Sequence, residues 1–124
     1  KEIKLIKIRN KKVESDKVIS SVIGQPKQFQ TLLYSILLIS PQKRHFFTGE
    51  IYEVYKNLCQ KTSLNVLTQR RISDILAEFD MLGIINAKII SKGRYGRTRE
   101  VSLPLEGNIV IKLKEVLEKS LQLS

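Results

Sequence analysis

The stretch LTQRRISDILAEFDMLGIINAKIISKGRYGRTREVSL, residues 67–103, changes its hydrophobic period halfway along. Its first part repeats apolar residues at the spacing of an amphipathic helix, and Gly83 ends that spacing. IINAKII, residues 84–90, is too rich in β-branched residues for a helix, and REVSL, residues 99–103, alternates as a half-buried strand does. The stretch therefore predicts a helix followed directly by a β-hairpin.

Further helices are predicted on both sides of this stretch. Helical spacing in residues 14–23 ends at Gly24. The next helix, about residues 26–39, has an apolar face too wide for a surface helix and is expected at the centre of the core. Thr48 is predicted to cap a helix that runs to about residue 61, and Asn108 to cap the last helix.

This order of elements predicts a mainly α fold with a small β-hairpin. A helix-turn-helix whose second helix leads into a β wing is the winged helix-turn-helix, which is expected to occupy residues 14–124. Residues 1–13 are predicted to be a linker or amino-terminal extension, with a frayed amphipathic helix as the alternative. Since the one methionine is Met81, the chain is expected to be a fragment of a longer protein.

Charge and composition limit the possible functions. The 22 lysines and arginines outnumber 12 acidic residues, and a net charge of +10 favours polyanions, nucleic acid first and anionic membrane second. No apolar run approaches the ~20 residues that cross a bilayer, so a soluble protein of the cytoplasm, associated with the nucleoid, is expected. One cysteine and one histidine predict no disulfide and no metal site, and without paired catalytic groups no enzyme is expected.

The predicted helix of residues 68–82 offers DNA its amino end. Asp74, Glu78 and Asp80 make its carboxyl half acidic, which repels phosphates. At the other end the free backbone N–H groups and the positive end of the helix dipole attract them. The predicted DNA contacts on this helix are Thr68, Gln69, Arg70, Arg71 and Ser73.

Helical geometry assigns these residues different roles. Arg70 points furthest from the apolar stripe and is predicted to reach a base edge, whereas Gln69 and Arg71 are predicted to bind phosphate. The alternative for Arg70 is an exposed ion pair with Asp74. For Ser73, an inert solvent-exposed position is an equal alternative.

The tip of the predicted hairpin is basic and rich in glycine. Two glycines allow a tight turn and a close approach of the backbone to a partner. At the apex, Arg94 suits a minor groove, and Tyr95 can stack on sugar or fold back onto the hairpin. Basic residues on the flanks can reach phosphates on either side. The predicted DNA contacts of the wing are Lys92, Gly93, Arg94, Tyr95, Arg97, Thr98 and Arg99.

Three motifs in the right order, TQRR, DMLGII and KGRYGRT, give this sequence a family resemblance. Together with TGEIYEVYKNLC, residues 48–59, they resemble the carboxyl-terminal winged-helix domain of archaeal replication initiators related to the origin-recognition and cell-division-cycle ATPases. The resemblance spans roughly residues 16–103. Residues 1–13 and the last helix match less well.

The resemblance implies binding of duplex DNA at replication origins, beside an ATPase domain of the same protein. No G-x-x-x-x-G-K-[ST] motif occurs in this chain, so no cofactor is expected here, and ATP and Mg²⁺ belong to the missing ATPase domain. The replicative helicase is a further partner that the family implies, and no membrane partner is expected. The alternative functions are a winged-helix transcription regulator and a winged helix that contacts replication proteins.

Overall fold

The computed structural model describes residues 16–41, 43–91 and 97–123, and only the backbone of residues 91 and 97. Within these ranges five helices and three strands follow one another. In chain order they are α1 (16–23), α2 (Lys27–Ile39), β1 (Phe46–Phe47), α3 (Thr48–Thr62), α4 (Gln69–Met81), β2 (Asn86–Ser91), β3 (Arg97–Ser102) and α5 (Gly107–Leu121). The predicted winged helix-turn-helix is confirmed, whereas the predicted linker of residues 1–13 lies outside the described residues.

Helix α2 forms the centre of the core, as its wide apolar face predicted. Every residue from Gln30 to Leu37 is buried, including three polar ones. The side-chain amide of Gln30 donates to the carbonyl oxygens of Val22, Ile23 and Gln25, at 3.1–3.3 Å. The carboxyl end of α1 is thereby joined to the core, and no donor of this amide is left to water.

Helix α5 packs against α2 through paired polar groups as well as apolar ones. Ser120 Oγ donates to Gln30 Oε1 at 2.6 Å, and the hydroxyl of Tyr34 donates to Glu118 Oε2 at 2.7 Å. Burial is the main cause that raises the pKa of Tyr34 to about 12. These bonds fix the rotation of α5 about its axis, so that Leu113 and Leu117 point into the core.

The sheet contains a strand that the sequence did not predict. Phe46 and Phe47 pair antiparallel with Val101 and Glu100, which gives the strand order β1-β3-β2. Because Phe47 keeps an extended backbone, with φ −113° and ψ 160°, it is the N-cap of α3, and the prediction of Thr48 as the cap is wrong. Thr48 is instead the first residue of that helix.

Two other predicted boundaries shift for local reasons. Glu106 has an extended backbone, and its carbonyl oxygen accepts hydrogen bonds from the N–H groups of Ile109 and Val110. Glu106 is therefore the N-cap of α5, and the prediction of Asn108 as the cap is wrong. The β2 strand starts two residues later than predicted. Ile84 and Ile85 belong to the turn between α4 and β2, and both are buried. Gly83 makes this turn with φ +78°, a conformation that side chains disfavour.

None of the described helices is both long and apolar enough to span a bilayer.

Candidate nucleic-acid interface

The amino end of α4 is capped as the sequence predicted. Thr68 has an extended backbone, and its side-chain oxygen accepts a hydrogen bond from the Arg71 N–H at 3.2 Å. The apolar stripe of Ile72, Ile75, Leu76 and Phe79 is fully buried. Burial of this stripe turns the opposite face of α4, with Arg70, toward solvent.

The connection between α3 and α4 is held by two tyrosines of α3. The hydroxyl of Tyr52 donates to the carbonyl oxygen of Leu67 at 2.8 Å, and the Leu67 N–H donates to the hydroxyl oxygen of Tyr55 at 3.1 Å. The Tyr55 hydroxyl in turn donates to Gln28 Oε1 on α2. Burial raises the pKa of Tyr55 well above its usual value, so the hydroxyl stays protonated. We call this arrangement the Leu67 clamp; it fixes the residue that precedes the cap of α4.

An open groove of about 540 Å³ lies between the start of α3, the amino half of α4 and the wing, which is the β2–β3 hairpin. It is lined by Thr48, Gly49, Gln69, Arg70, Ser73, Ile89, Thr98 and Arg99. The structure therefore brings together five of the predicted contact residues, three from the helix and two from the wing. We call this space the helix–wing groove.

The other predicted contacts do not line the helix–wing groove in the described residues. Thr68 and Arg71 are exposed beside it, on the cap and first turn of α4. The predictions for Lys92, Gly93, Arg94 and Tyr95 fall outside the described residues. For Arg97 the structure describes the backbone alone, paired with Ser91 in the wing.

Three groove residues were missed by the sequence analysis. Thr48 and Gly49 enter the groove because β1 pairs with β3, which places Thr48 Oγ1 3.5 Å from the carbonyl oxygen of Arg99. No local pattern predicts a contact between residues so far apart in sequence. Ile89 could have been found, since alternation along IINAKII puts it two residues beyond Ala87 on one face of the hairpin.

The charge on α4 separates along its length. Arg70 is exposed, and among the described residues no ion pair joins it to Asp74, so the alternative of a structural ion pair is not supported. Asp74, near the middle of α4, and Glu78, on its carboxyl half, are exposed. Asp80 has a structural contact there, since its Oδ1 accepts from the Ala87 N–H at 3.1 Å and joins α4 to β2.

The described residues offer no arrangement typical of catalysis or metal binding. No group of three or more possible metal ligands occurs among them. Cys59 is fully buried, and burial raises the pKa of its thiol, which disfavours the reactive thiolate. The candidate site is the open helix–wing groove, lined mostly by polar groups.

The fold and the helix–wing groove define a winged helix-turn-helix domain. Residues 20–113 match the family model described as the CDC6, C terminal winged helix domain, and the chain belongs to this family.

Proteins similar to this chain are known from several archaea. ORC1-type DNA replication protein 1 of Archaeoglobus fulgidus is 49% identical over 113 residues, which are 91% of this chain and 27% of that protein. The ORC1-type DNA replication protein of Pyrococcus horikoshii is 50% identical over 93 residues, 74% of this chain and 22% of that protein. The chain thus spans about a quarter of the length of these relatives.

A solved structure agrees with these matches. The structure of the Aeropyrum pernix ORC1 protein in complex with DNA aligns with a TM-score of 0.76 and 40% identity, over 87% of this chain and 28% of that one.

Proposed function

We propose that this domain binds duplex DNA at replication origins, with the amino half of α4 in the major groove and the wing in the adjacent minor groove. The observation that carries the proposal is the helix–wing groove, where Arg70 and Arg99 face one opening beside the first turns of α3 and α4. Free N–H groups at helix starts attract phosphates. A solved relative, the Aeropyrum pernix ORC1 protein, is in complex with DNA.

The residues of α4 have separate tasks in this proposal. Arg70 lies exposed in the groove and reaches a base edge, where arginine forms paired bonds with guanine. Gln69, Arg71 and the Thr68 end of the helix hold phosphates, which fixes the register of the protein on DNA. Ser73 lines the groove one turn further along and is close enough to Arg70 to contact the same strand.

The wing completes the contact on the other side of one DNA strand. Arg99 and Thr98 line the groove. The proposal assigns contacts with neighbouring phosphates to Lys92, Gly93 and Arg97. Arg94 enters the minor groove beside Tyr95, because a narrow minor groove concentrates negative potential.

In an Arg94→Ala protein, the preference for an A·T-rich duplex under the wing should shrink, while in Lys92→Ala it should not. An unchanged preference in Arg94→Ala would limit the wing to phosphate binding.

Salt dependence tests the proposal as a whole. If about five phosphates are neutralised, the logarithm of the binding constant should fall with the logarithm of salt concentration at a slope of about −4 to −5. Fluorescence anisotropy with a labelled origin duplex measures this slope, and an acidic polypeptide of equal charge is the control ligand. A slope near zero, or equal affinity for the polypeptide, would favour a surface that contacts proteins.

The proposal extends to a longer protein that contains this domain. The chain covers 27% of a relative that is called a DNA replication protein. We infer that this domain binds and does not catalyse, that ATP and Mg²⁺ are bound by an accompanying ATPase domain, and that the replicative helicase is a partner of the assembly. Adding the ATPase domain should lengthen the footprint on origin DNA without moving the part covered by α4.

A further inference from the structure

Ile89 is chemically unlike the other residues of the helix–wing groove. It is the one large apolar side chain among the eight described residues that line the groove, and 57% of it is exposed. Its neighbours there are hydroxyl, amide and guanidinium groups or glycine. A half-exposed isoleucine surrounded by polar groups has apolar surface available for a ligand that is itself partly apolar.

The pairing of the wing explains where this surface points. Val101 pairs with Phe46 on one side and Ala87 on the other. Val101 and Phe46 belong to the core, and the partly buried Ala87 packs against it. Two residues further out on the same face, Ile89 pairs with Arg99. Ile89 is therefore the first position of the inner wing face beyond the core, and it faces α4 across the groove next to a cation.

We propose that Ile89 makes the helix–wing groove selective for deoxyribose, by contacting the sugar edge of the DNA strand that lies in the groove. This inference rests on the proposed function. With α4 in the major groove and the wing in the minor groove, the strand that separates the two grooves lies between them. Ile89, on the wing face turned toward α4, then meets the sugars of that strand from the minor-groove side, the side on which a ribose displays its 2′-hydroxyl.

The chemistry of the 2′ position explains the selectivity. In DNA this carbon is a methylene group, and packing it against Ile89 removes apolar surface from water on both sides. In RNA the same position carries a hydroxyl, which is both a donor and an acceptor. Pressed against Ile89 it would lose water on the side that the isoleucine covers, and this side chain offers no hydrogen bond in return, which weakens binding.

A ribonucleotide scan tests the inference. A duplex is prepared as a series in which each nucleotide of one strand in turn is replaced by its ribonucleotide, and the affinity of the whole chain is measured for each member. We expect one or two adjacent positions at which the substitution weakens binding about 5- to 20-fold, the range of one unpaired hydroxyl. Elsewhere in the duplex the substitution should change affinity less than about 2-fold.

Matched variants connect that position to Ile89. Ile89→Thr keeps the β-branched shape preferred in strands and adds a hydroxyl that can bond to the ribose, so the loss should fall below about 3-fold. Ile111→Thr makes the same change at an isoleucine of α5 that is 63% exposed and outside the groove, and it should behave as the original protein does. A 2′-fluoro nucleotide, which favours the ribose pucker without a hydroxyl, should bind nearly as well as deoxyribose.

The outcomes separate this inference from the proposed function. Salt-dependent binding with a flat scan, an Ile89→Thr scan identical to that of the original protein, or a 2′-fluoro loss equal to the ribose loss would each overturn the role of Ile89 and leave DNA binding intact. Absence of salt-dependent binding to any duplex would overturn the proposed function itself.

Discussion

The two halves of α4 belong to one helix and share one buried stripe, yet their exposed faces are opposite in charge. The first turn presents Gln69, Arg70 and Arg71, while exposed acidic residues follow at Asp74, near the middle, and at Glu78 in the carboxyl half. The amino half lines the helix–wing groove, and the carboxyl half is joined to the wing by the bond between Asp80 and Ala87. Within this one helix, the amino half is the candidate binding surface, and the carboxyl half anchors α4 to the core and the wing.

This charge distribution favours one orientation of the helix on a polyanion, with the amino end of α4 toward the phosphates. Phosphates are attracted to the first turn by charge and by the helix dipole, and they are repelled from the last turns by both. A uniformly basic helix would allow DNA to lie along its length in several registers. In the proposed complex, the acidic residues of α4 therefore contribute to orientation by repelling phosphates.

The largest effect is expected in the anchoring half. Phe79 is 1% exposed and makes an edge-to-face contact with Phe29, with ring centroids 6.1 Å apart. Phe79→Ala should lower the free energy of unfolding by about 3–5 kcal/mol, because the cavity is deep in the core. Urea unfolding measures this change. Met81→Ala, two residues away but 86% exposed, should stay within about 0.5 kcal/mol. Similar values for the two variants would refute the assignment of anchoring to the buried stripe.

The next effect should appear in the binding half and only when DNA is present. Arg70→Ala should weaken binding to origin DNA by ~1–3 kcal/mol and to random DNA much less, with stability nearly unchanged. Arg71→Ala is the matched control, since a lost phosphate contact should weaken binding to both duplexes equally and lower the salt slope by about one. Equal losses of Arg70→Ala on both duplexes would assign Arg70 to phosphate.

The cap of α4 contributes both to the stability of the fold and to DNA affinity, so its removal should lower both moderately. Thr68→Ala removes the acceptor for the Arg71 N–H and should destabilise the fold by about 1 kcal/mol. DNA affinity should fall as well, because an uncapped first turn orients its N–H groups less well. Thr68→Ser keeps the hydroxyl and should restore both. Thermal unfolding measures the stability, and anisotropy titration measures the DNA affinity. A loss of affinity without any loss of stability would make Thr68 a direct DNA contact.

The smallest effect tests whether the acidic residues of α4 repel phosphates, beginning with Asp74 near the middle of the helix. Asp74→Asn should raise affinity for random DNA about 2-fold at low salt, since removing an exposed charge near the phosphates changes the energy by only a few tenths of a kcal/mol. Affinity for the acidic polypeptide should rise similarly. Weaker DNA binding by Asp74→Asn would show that Asp74 contacts the DNA, and the division of α4 into two halves would fail.

The sequence predicted the helices and the wing because their signals are local. The stripe from Ile72 to Phe79, the cap at Thr68 and the turn at Gly83 each depend on residues within a few positions of one another. These features were found where periodicity and turn chemistry placed them. The exposed direction of Arg70 followed from the same periodicity.

The sequence did not predict what depends on distant pairing. Strand β1 has two residues, too few to show alternation, and it forms only because β3 lies beside it, more than fifty residues later. The groove wall at Thr48 and Gly49 follows from that pairing. The Leu67 clamp was missed for a related reason, because a tyrosine in an apolar stripe does not reveal where its hydroxyl points.

The Leu67 clamp has a consequence for the kinetics of association. A connection held at both its N–H and its carbonyl leaves α4 in one orientation before any ligand arrives, so binding spends little free energy on ordering the helix. Pre-organisation of this kind makes encounter, steered by charge, the slow step, and association should then follow a single phase that accelerates as salt is lowered. Tyr52→Phe leaves the Leu67 carbonyl without its donor from α3, so a second, salt-independent phase should appear in stopped-flow records as α4 settles after contact.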